Sequence, residues 1–341
     1  MKKPCLTAIT VGIGMLILIL DAKTALLGAA DGINLCLQTV IPALFPFFLL
    51  SNLLTSALYG KSLTFLAPLC RSIGIPKGAE SILAAGFLGG YPVGAQCTAQ
   101  AVREGRLSKD DGRRMLAFCS IAGPAFIFGI GSRIFTKAWM RWALWAIQII
   151  SALLTGLLIP GKAGEASQGP RQEILSFPAA MQQSTKNMAM VSGWVVIFRV
   201  ILAFCDRWFL WLLPPWAQCV LRGILELTNG CCSLTQIVNE DVRFMLFSLL
   251  LSFGGLCVTM QTFSVCQNLD SSMYLPGKLL QAAISTLLAG VVISQEIGNW
   301  LCCLFLLSSL CGGYYYFPRK GQKNLAFRRK PVYNKKNLHT R

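Results

Sequence analysis

Residues 81–101 read S-I-L-A-A-G-F-L-G-G-Y-P-V-G-A-Q-C-T-A-Q-A, and this stretch decides the fold. It is apolar and about as long as the ~20 residues needed to cross a bilayer. A regular helix cannot comfortably run through its centre, Gly89-Gly90-Tyr91-Pro92, because glycine and proline are the poorest helix formers and proline restricts the residue before it. We therefore predict a broken helix or a re-entrant hairpin inside a membrane-embedded bundle.

The composition also indicates lipid as the solvent. The chain has 341 residues, of which 54% are hydrophobic and only 13% are charged. A soluble protein usually carries about 25% charged residues. Apolar stretches recur along the whole chain, so we predict an all-α, polytopic transmembrane helical bundle with about 8–10 hydrophobic segments.

The net charge of +17 is concentrated at the C-terminus, where residues 319–341 contain nine Lys or Arg and no Asp or Glu. The positive-inside rule predicts that this tail, and the N-terminus with its Lys2-Lys3 pair, are cytoplasmic. A nucleic-acid-binding tail is the alternative, but its stacking aromatics are limited to Phe327 and Tyr333. Contact with membrane lipids explains the same residues, so we expect no nucleic-acid partner.

Enzymatic chemistry is disfavoured by the side chains present. The only histidine is His339, which removes triad hydrolysis and histidine-based metal binding. Most of the 14 cysteines lie in or beside apolar segments, and the pairs Cys231-Cys232 and Cys302-Cys303 are adjacent, a spacing that suits neither a redox motif nor a zinc site. No phosphate-binding loop is present. We expect no enzyme, no cofactor and no metal site.

Four regions follow from the pattern of apolar and polar residues. Residues 1–39 form an uncleaved first transmembrane helix and a mixed-polarity segment that lies at the interface or lines the bundle. Residues 40–267 form the main membrane domain, with halves 40–160 and 186–267 joined by a polar loop, 161–185. Two C-terminal transmembrane helices occupy residues 268–317, and the basic tail occupies residues 318–341.

The two halves of the main domain are weakly similar in pattern. Each contains a first helix, then a helix broken by glycine with polar neighbours, at 89–96 and 226–231. Each ends with a charged segment leading into a helix broken at mid-depth, over 110–130 and 241–261. Two-fold repeats with broken helices are typical of transporters.

Glu226 is the strongest candidate for a functional residue, because an acid between Leu225 and Leu227 is costly at bilayer depth unless it is paired, neutral or in contact with water. The alternative is a purely structural ion pair with Arg222 or Arg199. Glycines near the breaks are often close-packing contacts, yet proline and a buried glutamine favour a binding role. The predicted substrate pathway comprises Glu226, Thr228, Asn229, Gly230, Tyr91, Pro92, Gln96, Ser120, Gly123, Pro124 and Gln261.

Four runs carry a resemblance to a known family. They are V-I-P-A-L-F-P-F-F-L-L-S-N-L-L (40–54), G-F-L-G-G-Y-P-V-G-A-Q (86–96), L-S-K-D-D-G-R-R-M-L-A-F-C-S-I-A-G-P-A-F-I-F-G (107–129) and L-E-L-T-N-G-C (225–231). Together they resemble sporulation integral membrane proteins of the YlbJ type. That family belongs to the nucleoside-recognition, or Gate, domain group, which includes spore maturation proteins and the membrane portion of the FeoB ferrous iron transporters.

The resemblance implies a bacterial cytoplasmic membrane protein with a fold related to nucleoside carriers. It further implies a transporter- or channel-like protein for a small polar solute, nucleoside-like or a spore solute, with Glu226 and Thr228 where such carriers place a substrate-binding motif. Sporulation membrane proteins or a second copy of the chain are candidate partners. The chain carries no GTPase motif, so iron import is not implied. A non-transporting scaffold for spore cortex or coat assembly is the alternative function.

Overall fold

The computed structural model describes residues 2–58, 61, 63–161, 175–266 and 269–294. Helices account for the regular structure of these ranges, which confirms the expected all-α bundle. The α-helices are α1 (Lys2–Leu20), α2 (Ala22–Leu35), α3 (Ile41–Leu58), α4 (Ala67–Ser72), α5 (Glu80–Gly89), α6 (Val93–Arg103), α7 (Lys109–Leu116), α8 (Pro124–Ile134), α9 (Ala138–Leu158), α10 (Phe177–Trp208), α11 (Pro215–Leu225), α12 (Leu227–Ser233), α13 (Glu240–Phe253), α14 (Gly255–Val265) and α15 (Tyr274–Ser294).

Five helical stretches within the described residues are long and apolar enough to cross a membrane, judged by length and composition. They are Ala22–Leu58, Ala138–Leu158, Phe177–Trp208, Glu240–Val265 and Tyr274–Ser294. Three shorter apolar helices, Thr7–Leu20, Glu80–Gly89 and Pro124–Ile134, accompany them. The last predicted transmembrane helix, 296–317, and the basic tail, 318–341, lie outside the described residues.

The break predicted at Gly89-Gly90-Tyr91-Pro92 is present. Helix α5 ends at Gly89, Gly90 adopts a positive φ of 71°, and α6 begins at Val93. The two short helices pack against each other and against the 117–123 segment so closely that a Cβ at Gly86 would lie 1.8 Å from the Cys119 carbonyl oxygen. Glycine is therefore required where these backbones meet.

The second break of the first half is also present. Ser108 caps α7 by accepting a hydrogen bond from the Asp111 amide at 3.0 Å. The chain leaves the helix after Leu116, and α8 begins at Pro124, which needs no amide partner at a helix start. Residues 117–123 thus cross the bundle without regular helical structure.

The second half contains two equivalent interruptions. Glu226 has extended backbone angles between α11 and α12. Gly254, with a φ of 80°, separates α13 from α14. Both breaks were predicted, and each has a local cause, either a side chain that caps the next helix or a glycine in the left-handed region.

The mixed-polarity segment before residue 40 packs one face on α10, while Leu26, Leu27 and Ile33 of α2 are exposed. It forms α2 and a π-helix, Cys36–Val40, that leads into α3 without a gap. Small residues permit a close contact with α10, since a Cβ at Gly28 would lie 2.8 Å from the Ala203 Cβ.

Helix α10 starts earlier than the second half predicted at 186–267. It begins at Phe177, within the segment interpreted as the polar loop 161–185. Its polar side chains find partners in the bundle, as when Ser184 accepts a hydrogen bond from the Asn52 amide at 2.8 Å. Polarity at residues 177–185 therefore serves tertiary contacts within a helix.

Candidate functional site

A cavity of about 50 Å³ lies where the broken helices of both halves converge. Its walls come from the α5–α6 break, the 117–123 segment, the α11–α12 break and α14, together with apolar side chains of α3 and α10. Five residues of the predicted pathway line it: Tyr91, Gly123, Glu226, Thr228 and Gln261. Residues from both halves are thus brought together at one place.

Glu226 supplies the carboxylate of this cavity and is only 2% exposed. Its Oε1 accepts a hydrogen bond from the Thr228 amide at 3.0 Å. Its Oε2 accepts from the Asn229 amide and from Asn229 Nδ2, both at 2.7 Å. The side chain therefore caps α12, and these three donors compensate part of the cost of burying the charge.

The structural alternative for Glu226, an ion pair with Arg222 or Arg199, is wrong. Arg222 pairs with Asp206 at 2.9 Å, and Arg199 pairs with Asp31 at 3.1 Å and with Asp206 at 3.6 Å. Within the described residues, no arginine or lysine forms an ion pair with Glu226. The carboxylate thus reaches the cavity without a basic partner.

Tyr91 is the cavity residue that touches both halves. Its hydroxyl donates to the carbonyl oxygens at the end of α13, 3.3 Å from Leu251 and 3.4 Å from Ser252. Its ring packs on Gly254, where an added Cβ would lie 3.2 Å away. Hydrogen bonds and ring packing therefore connect the α5–α6 break to the α13–α14 break.

The remaining cavity residues are held by neighbouring backbone. Gly123 packs on Gly90, whose Cα would lie 2.9 Å from a Cβ at position 123. Thr228 and Gln261 are buried, and Gln261 donates from Nε2 to the Cys257 sulfur at 3.3 Å. Larger side chains at either glycine would separate the two segments that form this wall.

Six residues of the predicted pathway do not line the cavity but support its walls. The Asn229 side chain is bound to Glu226, and Gly230 lies against Gly223, where a Cβ would meet Cα at 2.1 Å. Pro92 and Pro124 start α6 and α8. Ser120 and Gln96 make polar contacts to distant helices, Ser120 through its carbonyl with Lys278 and Gln96 with Asn187.

Lys278, in α15, is a buried polar residue that the sequence reasoning missed. It is 0% exposed, and its ammonium donates to the Tyr91 hydroxyl at 3.1 Å, to Gln281 Oε1 at 2.6 Å and to the Ser120 carbonyl. The available signal was a lysine within the apolar span 275–293, because charged residues inside such spans are costly and usually functional.

A second missed residue is Glu80, which is 1% exposed at the start of α5. Its Oε2 accepts a hydrogen bond from the Gly78 amide at 2.9 Å, so it closes the turn before the helix. Glu226 is therefore not the only buried acid in the described residues.

Buried polar side chains also join α9, α13 and α15 behind Lys278. Gln148 donates to the Ser252 hydroxyl at 2.7 Å. Ser248 and Ser285 each donate to the other's carbonyl oxygen, at 3.1 and 3.2 Å. These contacts hold the three helices in register and connect Lys278 to a polar interior rather than to lipid.

The chemistry open to the site is limited by its size. A cavity of about 50 Å³ holds a few water molecules or a small ion. Pockets for drug-sized ligands measure about 300–1,000 Å³, so a nucleoside does not fit in this conformation. In the described residues, no group of three or more His, Cys, Asp or Glu side chains is arranged to hold a metal ion.

Comparison with known proteins gives one curated relative. The chain is 25% identical to the sporulation integral membrane protein YlbJ of Bacillus subtilis (strain 168), over 70% of this chain and 70% of the relative. A scan against protein families finds no match. No solved structure matches the sequence. The resemblance expected from the four sequence runs is confirmed at the level of the YlbJ type.

Proposed function

We propose that this chain, a relative of the YlbJ type of sporulation integral membrane protein, is a transporter- or channel-like protein that moves a small polar solute across a bacterial cytoplasmic membrane during sporulation. One observation carries the proposal: helix breaks from both halves meet at a cavity that contains the buried carboxylate of Glu226. Membership of the nucleoside-recognition, or Gate, group and cytoplasmic placement of both termini are part of the same proposal.

Broken helices are evidence for a solute pathway because their ends have amides and carbonyls without intrahelical partners. An interrupted helix leaves amides and carbonyls that must be satisfied by protein, water or solute. Transporters place such interruptions at their substrate sites. Here, the interruptions at Tyr91, Gly123 and Glu226 face a common space.

The volume of that space indicates a closed pathway. Passage of a solute larger than a few waters requires the Gly90–Gly123 contact or the Tyr91–Leu251 contact to separate. Both contacts join segments outside regular helices or at helix ends. Movement there changes fewer intrahelical hydrogen bonds than movement within a helix, so we assign these two contacts as the gates of the pathway.

Ligand-dependent thermal stabilisation of the purified protein tests the proposal. The panel contains nucleosides, metal ions and small organic acids and amines. A ligand present at 100 times its Kd stabilises the protein by about 2.7 kcal/mol. We expect at least one compound to raise the midpoint of unfolding of the wild-type protein and to leave that of Glu226→Gln unchanged.

Asn239 provides a matched control, because it caps α13 at the surface just as Glu226 caps α12 in the interior. Its Oδ1 accepts from the Asp241 amide at 2.9 Å and from the Val242 amide at 3.0 Å. Asn239→Ala should retain the full response to the ligand. Equal stabilisation of Glu226→Gln and wild type would contradict the site, and stabilisation by no compound would favour the scaffold function.

A further inference from the structure

The Lys278 ammonium lies beside the cavity at the junction of three elements. Its acceptors are the Tyr91 hydroxyl from the α5–α6 break, the Ser120 carbonyl from the 117–123 segment and Gln281 from its own helix. All three are uncharged. No carboxylate of the described residues forms an ion pair with Lys278, and its Nζ also lies 5.0 Å from the centre of the Tyr91 ring.

The number of hydrogens on Lys278 determines which of these contacts can exist. An ammonium has three N–H donors and no lone pair, so it matches its three oxygen acceptors. A neutral amine has two N–H donors and one lone pair. After loss of a proton, one of the three oxygens therefore loses its donor, and the Tyr91 hydroxyl is the partner that can donate to the amine.

Tyr91 transmits this change to the cavity wall. Its hydroxyl either donates to the carbonyls of Leu251 and Ser252 or turns to the amine of Lys278. In the first arrangement the breaks of the two halves are fastened together. In the second arrangement, the end of α13 loses its hydrogen bonds to Tyr91. The protonation state of Lys278 therefore determines whether the two halves are hydrogen-bonded at this wall.

We propose that Lys278 is the proton-binding site that couples this protein's transport to proton movement. Lys278 reaches the cavity through Tyr91: an N–H bond of the ammonium breaks as the Tyr91 oxygen takes that proton and gives its own hydroxyl proton to water in the cavity, and the electron pair remains on Nζ. Rebinding of a proton closes the wall again. This inference rests on the proposed function, since it names the coupling ion of the same pathway.

The experiment has to distinguish the titration of Lys278 from that of the other titratable groups near it. They are Tyr91, Cys119 beside Ser120, and Tyr274 and Cys266 at the start of α15 and after α14. From α9 and α13 the facing polar side chains are neutral, namely Gln148, Ser151, Ser248 and Ser252. Arg114 of α7 is directed to backbone carbonyls around Ile73 and Ile159. Cys119 is thus the nearest competing thiol.

Alkylation at position 122 measures the opening of the wall. Ala122 is buried and lines the cavity, so an Ala122→Cys variant reports access of N-ethylmaleimide. The rate at this position is followed by peptide-level mass spectrometry from pH 6 to pH 9. Each rate is divided by that of the urea-unfolded protein at the same pH, which corrects for the pH dependence of an ordinary solvated thiol. Any titration of the buried thiol at position 122 itself appears equally in the Lys278→Arg background.

We expect the normalised rate to rise about tenfold or more with pH when Lys278 is present. In the Lys278→Met background the rate should be low and independent of pH, because methionine has no amine lone pair and the Tyr91 hydroxyl then keeps donating to the α13 carbonyls. In the Lys278→Arg background it should be low and independent of pH, because arginine keeps its proton throughout this range. Lys278→Arg retains the charge and so serves if Lys278→Met fails to fold.

In the Cys119→Ser background, the normalised alkylation rate should still rise with pH. A flat profile with Lys278 present, an unchanged rise in Lys278→Met or Lys278→Arg, or loss of the rise in Cys119→Ser would overturn the proposal. The labelling needs no transported solute. Its failure alongside a positive ligand panel would therefore remove the proton site and leave the proposed transport function intact.

Discussion

The hydroxyl oxygen of Tyr91 lies 3.3 Å from the carbonyl oxygen of Leu251, although the two residues are 160 positions apart in the sequence. The contact joins the helix break of the first half to the last turn of α13 in the second half. The same hydroxyl accepts a hydrogen bond from Lys278. The wall of the cavity is therefore an interface between the halves, and its stability depends on both.

Tyr91→Phe should weaken that interface selectively. Loss of the hydroxyl removes hydrogen bonds to the α13 carbonyls and to Lys278, and we expect a decrease of about 1 kcal/mol in the free energy of unfolding. The response to the stabilising ligand should fall as well. Tyr274→Phe is the control, because the Tyr274 hydroxyl is buried and accepts a hydrogen bond from Thr262, and Tyr274 does not line the cavity. It should lose similar stability and keep the ligand response; the reverse pattern would contradict the role of Tyr91.

Glu226→Ala should cost more stability than an ordinary cap. Replacement of a capping side chain by alanine costs about 1 kcal/mol. At Glu226 the substitution also leaves the Thr228 amide buried without its partner, which adds about 1–3 kcal/mol. Denaturant or thermal unfolding of Glu226→Ala and Asn239→Ala measures the difference. Equal losses of unfolding free energy in the two variants would contradict this prediction, because they would show that water replaces the interior cap as it replaces the surface cap.

Gly230→Ala tests whether this predicted pathway residue has a packing role. A Cβ at position 230 would lie 2.1 Å from the Gly223 Cα, so α11 and α12 would have to separate. We expect a loss of about 1–3 kcal/mol or more from overpacking. Gly193→Ala in α10 has nothing within 4 Å of the new Cβ and should be neutral or stabilising by up to about 1 kcal/mol. Similar melting midpoints for the two variants would contradict the observed backbone contact.

Arg114→Ala should destabilise the packing around α7, the helix that leads into the 117–123 segment. The guanidinium donates to the carbonyls of Gly74 at 3.0 Å, Ile159 at 2.9 Å and Gly156 at 2.7 Å, and also to that of Ile73. Removal leaves several buried carbonyls without donors, so we expect a loss of about 3 kcal/mol or more. Arg113→Ala, which removes a partly exposed ion pair with Asp270, should cost about 1 kcal/mol or less. A small effect of Arg114→Ala on thermal unfolding would contradict this assignment.

The helix breaks could be predicted because their causes are local. Gly90 and Gly254 adopt positive φ angles, and Pro92 and Pro124 start helices, so each signal lies within a few residues of its effect. The cavity that the breaks enclose was suggested by the similarity of the halves. Only the structure shows that five of the eleven predicted residues line it.

The contacts that the sequence did not predict depend on distant partners. Two of the three acceptors of Lys278, Tyr91 and Ser120, lie 187 and 158 positions away, and nothing near Lys278 in the sequence identifies them. The pairing of Glu226 with Arg222 failed because Asp206, on another helix, is the partner of that arginine. Helix α10 extends into the predicted loop because Asn52 satisfies one of its polar side chains. Tertiary structure overrode local pattern in each case.

Uptake into liposomes tests the central claim most directly. Purified wild-type protein, Glu226→Gln and Asn239→Ala are reconstituted at equal density, and uptake of the compound that stabilises the wild-type protein is measured with a radiolabel. We expect uptake by wild type and Asn239→Ala well above that of protein-free liposomes, and uptake by Glu226→Gln close to that background. Uptake by Glu226→Gln at the wild-type rate, or by wild type at the rate of protein-free liposomes, would contradict it.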